Sequence, residues 1–384
     1  MEKRSVELRI QIHPRIPLPI PPARRARRSP AGAAMSETRS PAGARPATIS
    51  DVAREAGTGK TSVSRYLNGE TNVLSADLRT RIEAAIQRLN YRPNQMARGL
   101  KRGRNRLLGL LAADLTNPYT VEVLQGVEAA CHALGYMPLI CHAANEADME
   151  RRYLQLLTTY RVEGMIVNAL GAREDALMPL RGCGIPTVLV DRRVEGFDAD
   201  LVGLDNTAAV RAGLAHLVAQ GFAEVCFVVQ PFEQVSSRRL REAAFRAALA
   251  ELGRDREAAP TIVADLADCE ALAAALAGLD ARLDAAASAG RRVALFAANA
   301  PVALALARHL HARHGAGWQA RVALLSIDDP EWAELLGITT IRQPTYEIGY
   351  RAVEFVHDRI DGATDAAREA LLPGELVVRT STAS

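Results

Sequence analysis

Residues 60–68 read Lys-Thr-Ser-Val-Ser-Arg-Tyr-Leu-Asn, a run rich in cationic and hydroxyl groups that can donate hydrogen bonds to a polyanion. On a helix, Lys60, Thr61, Ser62, Ser64 and Arg65 supply the polar side, while Val63 and Leu67 turn inward. Thr48 and Asn68 add short polar groups on either side of the segment. These residue types suit phosphate oxygens and base edges. The preceding stretch, TISDVAREAG, predicts a first helix stopped by Gly57, so the pair has helix-turn-helix spacing. The first helix would brace the second so that its polar side enters a major groove about 12 Å wide. A small helical bundle with a merely solvated polar face is the plainer alternative.

The distribution of charge favours the first reading. The chain has 384 residues and a net charge of only +3. Residues 1–46 carry a balance of +7, residues 47–106 another +7, and residues 107–384 a balance of −11. A compact basic segment joined to an acidic body points to nucleic acid or anionic lipid as a partner. The apolar fraction of 48% supports a sizeable core and excludes wholesale disorder. No apolar run reaches the roughly 18 residues of a membrane helix, so no membrane partner is expected. The five cysteines (131, 141, 183, 226 and 269) are odd in number and form no CxxC pair. They argue against a disulfide framework or a zinc site and fit a reducing cytoplasm.

The elements that must position these groups fall into four segments. Residues 1–46 contain IPLPIPPARRARRSPAGA, with no regular period, and read as a disordered basic extension. Their apolar part is broken by Pro17, Pro19, Pro21 and Pro22, so a secretory signal is not expected. Met35 offers an alternative start. Residues 47–91 predict three short helices. Thr48 and Asp51 form a capping-box-like start, and Ser75 caps the third helix, which carries Leu78, Ile82, Ala85, Ile86 and Leu89 on one face. Residues 92–106 form a basic connector, with a helical register from Asn94 to Leu100 too short to be stable alone.

From residue 107 to 384, apolar runs of strand length alternate with amphipathic helices, in two series of similar length. That pattern predicts an α/β body of two subdomains in tandem, each with a parallel sheet covered on both faces. A cleft at the carboxyl ends of the strands is then the default ligand site. Enzyme alternatives lack their signatures. No GxGxxG opens a helix after the first strand of the body, and no complete phosphate loop occurs. EAGTGKTS at 55–62 mimics one, but it follows helical sequence and lacks the first glycine. No catalytic or metal-ligating constellation stands out, and no cofactor is expected.

The headpiece resembles the DNA-binding domain of the LacI/GalR family of transcriptional regulators. Thr48, Ile49, Asp51, Val52, Ala53, Ala56, Gly57, Val63, Ser64, Arg65, Leu67 and Asn68 match the family pattern. Thr58-Gly59 stands where Val-Ser is usual, and Ser62 where Thr is usual. Glycine at an N-cap costs only a few tenths of a kcal/mol relative to serine. The connector is similar to the family hinge helix through Tyr91, Pro93, Asn94, Ala97 and Leu100. By that resemblance two hinge helices pair on DNA, Asn94 and Ala97 lie against it, and Leu100 wedges into a minor-groove step. A plain flexible linker is the alternative.

The body resembles the family's periplasmic-binding-protein-like core, and the likeness runs from about 47 to 382. It implies an effector cleft lined by Asn117 and Tyr119 after the first strand of the core, Asn168 and Asp191 at strand ends, and Ser236 and Arg241 in the second half. Asn299, Asp328 and Gln343 complete the set. Carboxylates and amides suit sugar hydroxyls, and Arg241 can hold a carboxylate with two parallel hydrogen bonds. Other roles stay open: Asp191 with Arg192 as a surface pair, Asn299 as a helix cap, Asp328-Asp329 as a turn. ARGLKRGRNRLLGLLAADLTNPY, RVEGMIVN, DRRVEG, DLVGLDN and SSRR are most similar to the branch controlling use of gluconate and 2-ketogluconate, so a sugar acid is the implied effector. The resemblance further implies a repressor, although some members need a corepressor and the direction of control stays open. It implies a cytoplasmic, nucleoid-associated homodimer on a pseudo-palindromic operator in double-stranded DNA. Two recognition helices would then lie about 34 Å apart. No heptads follow the core, so no tetramerising tail is expected.

Overall fold

The computed structural model describes residues 45, 47–92, 104–168, 174–233, 235–253 and 259–383. The expected disorder of the basic extension and the hinge positions Asn94, Ala97 and Leu100 lie outside the described residues. The chain divides into two compact units, Met1–Pro93 and Asn94–Ser384.

The first unit contains α1 (Ile49–Glu55), α2 (Lys60–Leu67) and α3 (Ala76–Arg88), with a single 3-10 turn between α2 and α3. Thr48 caps α1: its hydroxyl accepts from the Asp51 N–H, and the Asp51 carboxylate accepts from the Thr48 N–H in return. Gly59 caps α2 with no side-chain hydrogen bond, and Ser75 caps α3. Val52, Ala53, Ala56, Val63, Leu74, Ile82 and Ala85 form the core of the unit.

The second unit contains two six-stranded sheets. The first is ordered β2-β1-β3-β4-β5-β11. It is built from β1 (Leu107–Ala112), β2 (Met137–His142), β3 (Gly164–Asn168), β4 (Thr187–Val190), β5 (Asp200–Leu204) and β11 (Glu369–Leu372), all parallel. The second is ordered β7-β6-β8-β9-β10-β12. It comprises β6 (Glu224–Val229), β7 (Thr261–Val263), β8 (Val293–Ala297), β9 (Val322–Ile327), β10 (Thr339–Arg342) and β12 (Glu375–Val377). Only β12 is antiparallel. Every residue of β1, β3, β6, β8 and β9 is buried, which is why these strands read as continuous apolar runs. The first sheet is covered by α4 (Pro118–Leu134), α5 (Ala147–Thr159) and α6 (Glu174–Gly182), and the second by α7 (Asn206–Ala219), α8 (Ser236–Glu251), α9 (Cys269–Ser288) and α10 (Ala300–His314). A short α11 (Glu331–Leu335) follows β9.

The chain passes between the sheets three times. It leaves the first after β5, returns after β10, and leaves again after β11. On the return, α12 (Thr345–Ile360) packs on the first sheet beside α4. The tail LPGELVVRTSTAS, which resembles the final strand of the family, begins at the last residue of β11 and contributes β12, so the end of the chain adds a strand to each sheet. Glu369–Leu372 is only four residues long, and its pairing with β5 is too distant in the chain to be legible locally.

Candidate nucleic-acid interface and ligand cleft

In α2 the polar side is available. Lys60, Thr61 and Arg65 are exposed, Ser62 and Ser64 are half-buried, and Val63 is fully buried. The Thr48 hydroxyl is engaged in its capping box, 2.7 Å from an Asp51 carboxylate oxygen. Those hydrogen bonds hold the Asp51 carboxyl down at about 2. Asn68 closes α2 as its C-cap. The helix therefore offers a cation, hydroxyls and a guanidinium on one rigid surface, the set needed to contact phosphates and base edges.

In the second unit, strands β1, β3, β4, β6, β8 and β9 all end at a cleft between the subdomains. A cavity of about 460 Å³ there is lined by Asn117, Tyr119 and Asn168 from one side and Asn299 from the other, with Arg192 and Arg238. Asn117 caps α4 by accepting from the Tyr119 N–H. Asn168 is buried and donates to the Val190 carbonyl at 3.4 Å. Asn299 lines the cavity and also caps α10, accepting from the Val302 N–H at 3.1 Å, so both roles read from the sequence coexist.

Asp191 and Asp328 follow β4 and β9 with φ of 65° and 78°. Backbone in this left-handed region is uncommon for residues other than glycine, and aspartate tolerates it better than most. Asp191 does pair with Arg192 at 3.5 Å, but both side chains are largely buried, which rules out the surface pair considered above. Ser237 donates to Asp191 at 3.1 Å. Asp328 accepts from the Ala300 N–H at 2.9 Å and from the Gln343 amide at 2.5 Å. Burial pushes its carboxyl up, against the pull of Arg241 and these donors.

Arg241 is buried and already engaged. It donates to Asn206 at 2.7 Å and to the Ala298 carbonyl at 2.6 Å, and it lies 3.8 Å from Asp191. It is not among the residues lining the cavity. Ser236 faces elsewhere: its hydroxyl accepts from the Arg193 N–H at 2.8 Å, and it borders a separate groove with Leu189, Phe197 and Leu240. Sequence reasoning named neither Arg192 nor Arg238 as ligand residues, although the doubled arginines of DRR and SSRR were the available signal.

Several buried polar atoms around the cleft have no hydrogen-bond partner among the described residues. They are the Tyr119 hydroxyl, Asp191 Oδ1, Arg192 Nε and Nη1, and Gln343 Oε1. Burial and the Asp191 carboxylate raise the Tyr119 phenol well above its usual value, so it stays a neutral donor. Buried polar groups are ordinarily satisfied, and those of Tyr119 and Arg192, both of which line the cavity, mark a place suited to a polar guest. Among the described residues, no group of His, Cys, Asp and Glu could hold a metal ion, and no helix is long and apolar enough to cross a membrane.

Residues 48–94 match the model of the lacI family of bacterial regulatory proteins, and residues 214–382 match a periplasmic binding protein-like domain. The HTH-type transcriptional regulator PtxS of Pseudomonas putida is 41% identical over 337 residues, spanning 87% of this chain and 96% of that protein. The chain belongs to the lacI family. The HTH-type transcriptional regulator KdgR of Bacillus subtilis is 33% identical over 336 residues, spanning 87% of this chain and 97% of its own. The lac repressor dimer bound to operator and the anti-inducer ONPF shares the fold, with a TM-score of 0.74 at 23% identity over 88% of this chain and 100% of that one. The protein is a DNA-binding transcriptional regulator, as the resemblance read from the sequence implied. Its headpiece is helix-turn-helix, and its core is periplasmic-binding-protein-like with two parallel-sheet subdomains.

Proposed function

We propose that this regulator is a repressor released from its operator by a sugar acid bound between the core subdomains, with 2-ketogluconate the best candidate. The observation that carries the reading is that the Tyr119 hydroxyl and Arg192 Nε and Nη1, on residues lining the 460 Å³ cavity, are buried without a hydrogen-bond partner among the described residues. Hydroxyls of a sugar complement Asn117, Tyr119, Asn168 and Asn299, and an acid group complements the arginines. Asp191, Asp328 and Gln343 take ligand hydroxyls or hold those that do. The similarity to the gluconate and 2-ketogluconate branch supports the same choice.

DNA is read by Lys60, Thr61, Ser62, Ser64 and Arg65, with Thr48 and Asn68 at the phosphates and the hinge residues Asn94, Ala97 and Leu100 in the minor groove. The chain works as a homodimer on a pseudo-palindromic operator, in the bacterial cytoplasm at the nucleoid. Release requires that the acid bind the released arrangement of the two subdomains more tightly than the operator-bound one. Calorimetric titration of the purified chain with 2-ketogluconate, gluconate, glucose and fructose tests the effector class. Saturable heat from the acids, and little from the neutral sugars, is expected. Heat from a neutral sugar alone overturns the reading.

A further inference from the structure

The family position expected to grip the effector is Arg241, yet its guanidinium is spent inside the protein. Nε holds Asn206, at the start of α7 just past the first crossover, and Nη1 holds the Ala298 carbonyl at the end of β8. Nη2 lies 3.8 Å from Asp191 at the end of β4. One side chain thus ties together a crossover and one strand end from each subdomain. Contact with a ligand carboxylate in the usual forked manner would require it to abandon these partners, all buried.

Two other arginines are placed differently. Arg192 follows β4 in the first subdomain, and Arg238 lies in the first turn of α8 in the second; both line the cavity. Arg192 has Nε and Nη1 buried without a hydrogen-bond partner among the described residues, and its nearest anion, Asp191, also receives the Ser237 hydroxyl. Arg238 donates one bond, to the Pro231 carbonyl at 2.9 Å. Burial lowers its pKa to about 10, and the crowding of Arg192 and Arg241 adds to the effect, outweighing Asp191 and Asp265. Asp114, the one acid among the residues lining the cavity, accepts from Thr116 and Asn145. The cavity wall thus carries two guanidinium groups, one from each subdomain, against a single carboxylate.

We infer that Arg192 and Arg238 together hold the carboxylate of the effector, and that Arg241 is a positioning residue behind them. A carboxylate between them supplies the missing anion and bridges the subdomains, which couples acid binding to their relative arrangement. A neutral sugar of the same size would leave the two cations uncompensated, so these residues set the preference for acids. The assignment rests on the sugar-acid reading above.

The test is calorimetric titration of the full chain with 2-ketogluconate in four forms: wild type, Arg192→Gln, Arg238→Gln and Arg241→Gln. Melting of each ligand-free form is recorded alongside. Loss of a charge-assisted contact weakens binding between about 10-fold and 100-fold, so Arg192→Gln and Arg238→Gln are each expected to fall in that range. Their ligand-free melting temperatures stay level or rise, because removing one of two crowded cations relieves repulsion. Arg241→Gln lowers the ligand-free melting temperature, because two buried acceptors lose their donor and Asp191 loses a neighbouring cation. Arg192→Lys, which keeps the charge and loses the planar fork, binds between wild type and Arg192→Gln. Acid affinities of Arg192→Gln and Arg238→Gln within about threefold of a well-binding wild type would overturn this assignment alone. A wild type that binds no sugar acid would remove the effector reading as well.

Discussion

Asp200 opens β5 with its carboxylate between two guanidinium groups. Arg359 reaches it at 2.7 and 3.0 Å, and Arg368 donates from its side chain at 2.9 Å and from its backbone at 2.7 Å. Burial raises the carboxyl, but the hydrogen bonds from the two arginines prevail and hold it at about 2. The folded value thus lies below the unfolded one of about 3.9. The stabilisation is therefore present above about pH 4 and is lost as the pH falls toward 2. Asp200→Asn should destabilise the core by about 3 kcal/mol at neutral pH, read by chemical denaturation, because it breaks a buried pair. The gap between wild type and variant should close as the pH is lowered from 4 to 2, and a gap that widens there would contradict this sign. At the same scale, the cleft shows what a sequence can and cannot carry. Asn117, Tyr119, Asn168 and Asn299 were legible by family position, and they line the cavity. The full engagement of Arg241 was not legible, because Asn206 and Ala298 lie 35 and 57 residues away in the chain. Ser236 sits one residue from Ser237, and the phase of α8 alone separates a side chain that reaches Asp191 from one that faces another groove.

At the scale of elements, α4 and α12 meet through a reciprocal pair of glycines. A Cβ on Gly126 would collide with the Tyr346 carbonyl and the Tyr350 N–H, and one on Gly349 with the Val123 carbonyl and the Val127 N–H. These neighbours are backbone and cannot swing aside. Gly126→Ala is expected to destabilise the core by about 1–3 kcal/mol through overpacking. The gain in helix propensity, about 1 kcal/mol, offsets part of that. Thermal melting checks this, and a variant more stable than wild type would show that the helices can part freely. The alternation of buried strands with helices was readable in the sequence because apolar periodicity is local. The short β11 was not, since what makes it a strand is β5, more than 160 residues earlier in the chain.

At the scale of the whole molecule, the charge pattern divides the labour. The basic balance of residues 47–106 supplies the sequence-independent attraction to DNA, and the acidic balance of residues 107–384 keeps the sensing core from binding it. The central claim is that a sugar acid in the core sets the affinity of the headpiece for its operator. Fluorescence anisotropy of the full chain on a labelled duplex from the DNA beside its own gene tests this most directly, at fixed salt, with 2-ketogluconate or glucose titrated in. The account predicts tight, sequence-specific binding that 2-ketogluconate abolishes and glucose leaves in place. Binding that is weak and indifferent to sequence, or specific binding that the acid leaves unchanged, would contradict it.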